Sequence, residues 1–102
     1  MNAEYILEND TLTIVMDRDL DHHNAMLVKE KADDYVYDGR AINIVFDFKN
    51  TSFMDSSGIG VVMGRYRLVK PLGGTVSVKN VKSSVDRIFT ISGLYKIINK
   101  EA

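Results

Sequence analysis

The sequence predicts a single α/β domain, residues 1–102, with a mixed, mostly parallel β-sheet flanked by helices in the order ββαβαβαβ. Short β-rich apolar runs alternate along the chain with longer stretches in which apolar residues recur at helical spacing. Such an alternation is typical of strands that are joined by helical crossovers. In addition, 102 residues suffice for one hydrophobic core but not for two, so we expect one domain.

Composition and charge exclude several classes of protein. The 13 Lys and Arg residues nearly balance the 14 Asp and Glu residues, whereas nucleic-acid binding depends on clustered positive charge. The absence of Cys excludes disulfides and thiolate metal sites. No apolar run approaches the roughly 20 residues of a membrane span, and the first residues lack the pattern of a signal peptide. We therefore expect a soluble, cytoplasmic protein that binds neither nucleic acid nor membranes.

The first half of the chain predicts a hairpin, a helix and a buried strand. β-Rich runs at residues 5–7 and 11–16, separated by residues with turn chemistry, predict the hairpin. Over residues 22–37 the apolar residues recur at helical spacing, and Gly39 follows as a stop signal. The nearly continuous apolar stretch at residues 42–48 then predicts a strand that is buried on both faces of a parallel sheet.

The second half of the chain predicts two more helices, each followed by a strand. A helix over residues 56–69 ends before a proline and a pair of glycines, and the alternation at residues 75–78 predicts a strand. A short third helix begins with Ser83 or Ser84 as its N-cap, the residue whose side chain accepts a hydrogen bond from the first backbone N–H groups. Residues 95–98 are predicted to form the last strand.

A binding site is predicted in the segment that follows the strand at residues 42–48. In parallel sheets, binding sites favour the loops beyond the carboxyl ends of the strands. Here Asp55 stands at the N-cap position of the second helix, and Ser56 and Ser57 occupy its first turn. A phosphate on a hydroxyl there would meet unpaired N–H groups and the positive end of the helix dipole. The pattern fits either a phosphorylatable serine or a plain helix cap.

The glycines of the second helix also allow two interpretations. Gly58, Gly60 and Gly64 each cost up to about 1 kcal/mol relative to alanine in a helix interior. At helical spacing Ser56, Gly60 and Gly64 lie along one face, which suits close approach by the backbone of a partner or by a nucleotide. Equally, the glycines would let the helix lie close to its own sheet.

Cofactor, metal and catalytic sites are not expected. The glycine spacing loosely resembles a dinucleotide-binding fingerprint, but the first glycine does not directly follow a strand and no P-loop lysine is present. His22 and His23 are adjacent, so they point to different faces of a helix and do not chelate one ion together. Nothing in the spacing brings a histidine to Ser56 as a catalytic base.

Three segments carry a resemblance to a known family: residues 20–25, which read Leu-Asp-His-His-Asn-Ala, residues 52–66 and residues 88–98. In the same order, they resemble segments of the bacterial anti-sigma-factor antagonists, single-domain proteins of the STAS family. The stretch at residues 52–66 is similar to the signature of that family, most of all to that of its sporulation-type members. Arg18 departs from the pattern, because family members commonly have glycine there.

The resemblance implies a partner-switching mechanism. Ser56, directly after the aspartate of the signature, matches the serine that is phosphorylated in the family, and Asp21 matches a position at the kinase interface. The implied kinase is the anti-sigma factor itself, an ATP-dependent serine kinase of the GHKL type. The unphosphorylated antagonist binds this kinase so that the sigma factor is released, and a PP2C-type phosphatase removes the phosphate. The residues expected to bind the partner are Asp21, Asp55, Ser56, Ser57, Gly58 and Gly60.

Two other functions are compatible with the residues. Another STAS module, such as a stress-signalling scaffold or a transporter-associated subunit, would share the fold but have a different partner. A small nucleotide-binding enzyme built on the glycine-rich helix is the alternative from a different class, although neither a P-loop lysine nor an acidic metal cluster supports it. The resemblance favours a regulator of bacterial transcription, in sporulation or stress, that is not an enzyme and needs no cofactor.

Overall fold

The computed structural model describes residues 2–101 and places seven strands and three α-helices in this part of the chain. The strands are β1 (Glu4–Glu8), β2 (Thr11–Val15), β3 (Asp19–Leu20), β4 (Asn43–Asp47), β5 (Phe53–Met54), β6 (Val76–Lys79) and β7 (Asn99–Lys100). The helices are α1 (His22–Tyr37), α2 (Ser56–Val69) and α3 (Ser83–Ser92). The predicted α/β class with a mixed, mostly parallel sheet is confirmed, since one antiparallel strand pair joins three parallel pairs in the main sheet.

The main sheet has the strand order β1-β2-β4-β6-β7, in which only β1 is antiparallel to its neighbour. Ile14, Phe46 and Val78 lie side by side across the three central strands, and all three are fully buried. On the opposite face of the sheet, Thr13 and Val45 are partly exposed. The helices therefore cover one face of the sheet.

The hydrophobic core lies between the covered face of the sheet and the helices. Val28 of α1 and Val62 and Val69 of α2 are buried in it. The ring of Phe89, on α3, packs edge-on against Phe48, with the ring centroids 5.5 Å apart. Because full burial of such a side chain stabilises the fold by roughly 1.5–3 kcal/mol, these contacts hold the three helices in fixed positions on the sheet.

The last strand begins later in the chain than predicted. The sequence predicts a strand over residues 95–98, but Leu94–Lys96 form a 3₁₀ turn and only Asn99–Lys100 pair with β6 as β7. Leu94 and Ile98 are buried, whereas Lys96 between them is exposed. A strand would place all three side chains on one face, so the spacing of the buried residues requires a turn there.

The start of α3 and two short strands also differ from the prediction. Lys82 is the N-cap of α3 and makes no capping hydrogen bond through its side chain, so neither Ser83 nor Ser84 has the predicted N-cap role. Strands β3 and β5 have two residues each, and they pair with each other rather than with the main sheet. Two residues are too few to give a recognisable period in the sequence.

Candidate functional site: the paired starts of α1 and α2

The short strands before α1 and α2 set the positions at which the two helices begin. β3 and β5 pair in parallel, with Asp19 opposite Phe53 and Leu20 opposite Met54. The next residue after each strand is an aspartate, and the N–H of Asp55 donates to the carbonyl oxygen of Leu20 at 3.3 Å. As a result, α1 and α2 begin side by side at one edge of the fold.

Each of these two aspartates caps its own helix. Oδ1 of Asp21 accepts a hydrogen bond from the N–H of Asn24 at 2.9 Å, and Oδ1 of Asp55 accepts one from the N–H of Ser57 at 2.8 Å. Both aspartates have the extended backbone typical of an N-cap. The predicted capping role of Asp55 is confirmed, and Asp21 has the same role on α1. Since such a cap contributes about 1 kcal/mol, both carboxylates stabilise the fold.

Ser56 and Ser57 share the first turn of α2 but differ in exposure. Ser56 is the first helical residue and is exposed, whereas Ser57 is half-buried and supplies the N–H that Asp55 caps. The first N–H groups of a helix have no partner within the helix and carry the positive end of its dipole. A phosphate on Ser56 would lie at this positive end, next to the Asp55 carboxylate. The hydroxyl of Ser56 is therefore both accessible and able to carry an anion without unfolding the helix.

The glycines of α2 have two different roles. Gly58 is buried, and a Cβ atom at this position would overlap the side chain of Met54 and lie 3.0 Å from Cδ2 of Leu20. A Cβ atom at Gly60 or Gly64 would meet nothing within 4 Å. Gly58 thus allows close packing within the fold, whereas Gly60 and Gly64 leave an open surface, where the close approach of a partner stays a prediction.

Gly60 and Gly64 lie in a groove between α1 and α2 with a volume of about 320 Å³. Ser57 lies at the end of the groove where α2 begins, and Arg65 lies further along the helix. Lack of side chains at the two glycines lets another backbone approach α2 closely. The residues that line the groove are His22, Ala25, Met26, Lys29, Ser57, Gly60, Val61, Gly64 and Arg65.

A buried ion pair at the Arg65 end of this groove was not predicted from the sequence. Nε of Arg65 lies 2.9 Å from Oδ1 of Asp33 on α1. The two groups form an ion pair but are not oriented for a hydrogen bond between these atoms. Nζ of Lys29 lies 3.5 Å from the other carboxylate oxygen of Asp33. Burial lowers the pKa of Arg65, and the Asp33 carboxylate opposes this shift. The only sequence signal was the position of Asp33, next to Ala32 on the buried stripe of α1.

The two histidines lie at the start of α1. His22 is its first residue and lines the groove, and the exposed His23 follows. Within residues 2–101, no three acidic or histidine side chains are grouped as a metal ion would require. None of the helices in the described part of the chain is both long enough and apolar enough to span a membrane.

Sequence comparisons identify relatives over nearly the whole chain. The family model of the STAS domain matches residues 2–102. The anti-sigma F factor antagonist of Paenibacillus polymyxa is 37% identical over 100 residues, which cover 96% of this chain and 86% of that protein. The anti-sigma-B factor antagonist of Bacillus subtilis is 33% identical over 95 residues, which cover 93% of this chain and 84% of that protein.

Solved structures agree with the sequence relatives. The unphosphorylated form of the anti-sigma factor antagonist SpoIIAA superposes with a TM-score of 0.88 at 29% identity, covering 98% of this chain and 88% of that chain. The phosphorylated form of SpoIIAA from Bacillus gives a TM-score of 0.81 at 28% identity, covering 98% of this chain and 91% of that chain. Each of these relatives is named as an antagonist of an anti-sigma factor. The chain therefore belongs to the STAS domain family, among its anti-sigma factor antagonists.

Proposed function

We propose that this chain binds an anti-sigma factor while Ser56 is unphosphorylated, so that a sigma factor is released, and that phosphorylation of Ser56 ends this binding. The observation that carries the proposal is the position of Ser56, exposed at the first residue of α2 and beside the two aspartate caps. The relatives support it, because they antagonise anti-sigma factors and SpoIIAA has been solved in both unphosphorylated and phosphorylated forms.

The proposed partner surface is the edge at which α1 and α2 begin, together with the adjoining end of the groove. Gly60 is exposed and has no side chain, so it admits the backbone of a partner. Gly58 lies buried beneath the surface and keeps α2 close to Met54, so it shapes the surface without contacting the partner through a side chain. We assign to this surface Asp21, Asp55, Ser56, Ser57 and Gly60, and Gly58 supports it from below.

Electrostatics explain how one phosphate would end the binding. Phosphorylation adds about −1.5 to −2 charges at Ser56, directly beside the carboxylate of Asp55. A partner surface that fits a bare hydroxyl would then meet steric overlap, desolvation of the phosphate and like-charge repulsion. Every ~1.4 kcal/mol of lost binding free energy weakens affinity tenfold, so a few such unfavourable contacts suffice for a hundredfold loss.

The participants in the proposed cycle follow from the family resemblance. The anti-sigma factor would be a GHKL-type serine kinase that uses ATP to phosphorylate Ser56, and a PP2C-type phosphatase would restore the hydroxyl. The chain itself would be a substrate and a binding partner rather than a catalyst. Since its proposed partners control transcription, we place this cycle in the bacterial cytoplasm.

Phosphosite mapping by mass spectrometry tests the proposal directly. The purified chain is incubated with ATP and a soluble extract of its source cells, and each serine is scored for phosphate. We expect a single phosphate on Ser56, none on the Ser56→Ala variant, and unchanged phosphorylation of the Ser57→Ala variant. The Ser56→Ala variant should still capture the kinase from the extract, because a small side chain at this position keeps the partner surface uncharged.

Two outcomes would contradict the proposal. Phosphate on Ser57 in the Ser56→Ala variant would move the switch by one residue. An extract that phosphorylates a known antagonist of this family but leaves this chain unmodified would favour a STAS scaffold without a phosphorylation switch.

A further inference from the structure

Asp17 has a buried carboxylate that the proposed function does not use. It lies between β2 and β3, and its side chain is only 7% exposed. Within residues 2–101, its Oδ1 atom has no hydrogen-bond partner. The backbone oxygen of Asp17 accepts a hydrogen bond from Oγ1 of Thr51 at 2.7 Å, which fixes the main chain but does not satisfy the carboxylate. Buried charges normally have partners, because an unpaired one costs free energy.

The Asp17 carboxylate borders two adjoining clefts. The first has a volume of about 420 Å³ and is lined by Asp17, Arg18, Asp19 and Asn24. The second, of about 270 Å³, shares Asp17 and Asn24 with the first and continues along Leu27 and other side chains of α1 and β1. The first volume lies within the range of small-molecule sites, roughly 300–1,000 Å³. Asp17 thus stands at the junction of a cleft large enough for a small ligand and a smaller, adjoining one.

Neither of the two side-chain cations near Asp17 pairs with it. The side chain of Arg18 is 73% exposed, and its Nη2 lies 3.7 Å from a carboxylate oxygen of Asp19 instead. Nζ of Lys31, which lines the second cleft, lies 5.9 Å from the centre of the Tyr5 ring. In the described part of the chain, neither cation forms an ion pair with Asp17.

The chemistry of the clefts selects the kind of ligand. The carboxylates of Asp17 and Asp19 line the first cleft, so it favours a positive charge. Oδ1 of Asp17 needs a hydrogen-bond donor, which a primary ammonium or a guanidinium provides. The second cleft has apolar walls at Leu27 and Val28, which suit a carbon chain attached to such a head group. A bare metal ion fits less well, because three acidic or histidine ligands are not grouped within residues 2–101.

We propose that the clefts at Asp17 bind an organic cation with N–H donors, a protonated primary amine or a guanidinium. Its charged head would pair with the Asp17 carboxylate, and its carbon chain would lie along Leu27 and Val28 in the second cleft. The same chemistry is offered by a free polyamine and by a lysine or arginine side chain of a bound protein. None of the residues that line the two clefts is assigned to the partner surface at Ser56, so the proposal stands independently of the phosphorylation switch.

NMR titration of the Asp17 carboxyl carbon tests this site in the full-length protein. The probes are spermidine, N-acetyl-arginine amide and tetramethylammonium, all added at constant ionic strength. We expect saturable shifts with spermidine or the arginine amide and none with tetramethylammonium, which has the positive charge but no N–H donor. A tenfold preference for spermidine would identify a free polyamine as the source, and a tenfold preference for the arginine amide would identify a protein side chain.

Matched variants show whether Asp17 itself binds the probe. Asp17→Asn keeps the side-chain shape but removes the charge, and we expect it to weaken binding at least tenfold, as measured by backbone amide shifts of Asn24 and Leu27. Asp34→Asn makes the same charge change at an exposed position of α1 and should leave the affinity unchanged. Equal affinity for wild type and Asp17→Asn, or equal shifts with tetramethylammonium, would overturn the proposal. A shift of the Asp17 carboxyl signal on acetylation of the amino terminus that is as large as the shift caused by the probes would also overturn the proposal. The chain's own α-amino group would then be the occupant of the site.

Discussion

At the scale of single residues, Gly58 and Gly60 are two positions apart on α2 and should respond oppositely to alanine. Alanine normally stabilises a helix interior by up to about 1 kcal/mol relative to glycine. At Gly60 a Cβ atom meets open space, so we expect Gly60→Ala to raise the free energy of unfolding by up to this amount. At Gly58 the added Cβ overlaps Met54 and approaches Leu20, and overpacking of this kind costs about 1–3 kcal/mol.

Urea denaturation of the two variants measures this difference. We expect Gly58→Ala to be less stable than Gly60→Ala by about 2 kcal/mol, since the helix-propensity gain is common to both and only the first creates an overlap. Shortening Met54 in the double variant Gly58→Ala/Met54→Ala should remove the overlap. The loss of unfolding free energy caused by Gly58→Ala should therefore be smaller in the Met54→Ala background than in wild type. Equal midpoints for the two single variants would mean that Gly58 does not need to be glycine.

At the scale of secondary-structure elements, the Asp33–Arg65 pair links α1 to α2 at the Arg65 end of the groove. The two side chains are 12% and 6% exposed, so removing one partner leaves a buried charge unpaired. Such a loss costs about 3–5 kcal/mol, and we expect Arg65→Met to fall at the lower end because Lys29 still lies near Asp33. Replacing both residues, as Asp33→Leu/Arg65→Met, should recover most of the stability.

A double-mutant cycle in urea measures this coupling. A control is Arg40→Met, which removes a more exposed arginine that pairs with Asp38 at 3.1 Å and stacks on the ring of Tyr35, and it should cost about 1 kcal/mol. If Arg65→Met were no more destabilising than Arg40→Met, the pair would not contribute to the packing of α1 on α2. If the double variant were as unstable as Arg65→Met alone, loss of side-chain packing rather than an unpaired charge would be the cause.

Asp86 connects another element, α3, to the last segment of the described chain. Its Oδ1 accepts hydrogen bonds from the Tyr95 hydroxyl at 2.6 Å and from Nζ of Lys100 at 2.7 Å. The bond from Lys100, followed by that from Tyr95, lowers the pKa of Asp86 below 3.8. Because the folded pKa lies below the unfolded one, the stabilisation is present above about pH 4 and is lost as pH falls through the folded pKa.

Amide hydrogen exchange at β7 should report this connection. Protection of the Glu101 N–H, which follows β7 and donates to the carbonyl oxygen of Val78 at 2.8 Å, should fall in wild type as pH drops from 5 to 3, after correction for the intrinsic exchange rate. In Asp86→Asn, protection should be low at pH 5 and should change little over the same interval. Asp34→Asn, at an exposed site on α1, serves as the control and should behave as wild type. An unchanged pH profile in Asp86→Asn would show that this carboxylate does not hold β7 in place.

At the scale of the whole molecule, the sequence predicts what depends on local pattern and misses what depends on packing between distant segments. The apolar runs of β2 and β4 and the helical periods of α1 and α2 were sufficient to predict these elements. A buried face requires apolar residues at regular spacing, which can be recognised in the sequence. Asp55 was predicted as a cap because capping is a local property. The β3–β5 pairing and the Asp33–Arg65 pair depend on segments that meet only in the folded chain. No periodic pattern in the sequence therefore indicates them.

The same separation between a local site and a packed core predicts that the proposed phosphorylation of Ser56 would act without a global change in conformation. Ser56 is exposed at the start of α2, while the residues beneath that start, Leu20, Met54 and Gly58, are buried in close contact. An added charge at the helix N-terminus is compatible with the dipole and leaves this packing intact. Moreover, a closely packed core does not deform continuously, so a small perturbation at its edge does not spread unless a second packing exists.

Backbone amide spectra of Ser56→Asp and wild type test whether the change is local. We expect shifts confined to residues 55–60 and to the adjoining start of α1, with β4 and β6 unaffected. Ser84→Asp provides a matched control, since it places the same charge in the first turn of α3, where the serine is also exposed. Shifts throughout the central strands in Ser56→Asp, but not in Ser84→Asp, would mean that the site is coupled to a second conformation of the sheet. Release of a partner would then depend on that conformation rather than on repulsion at the surface.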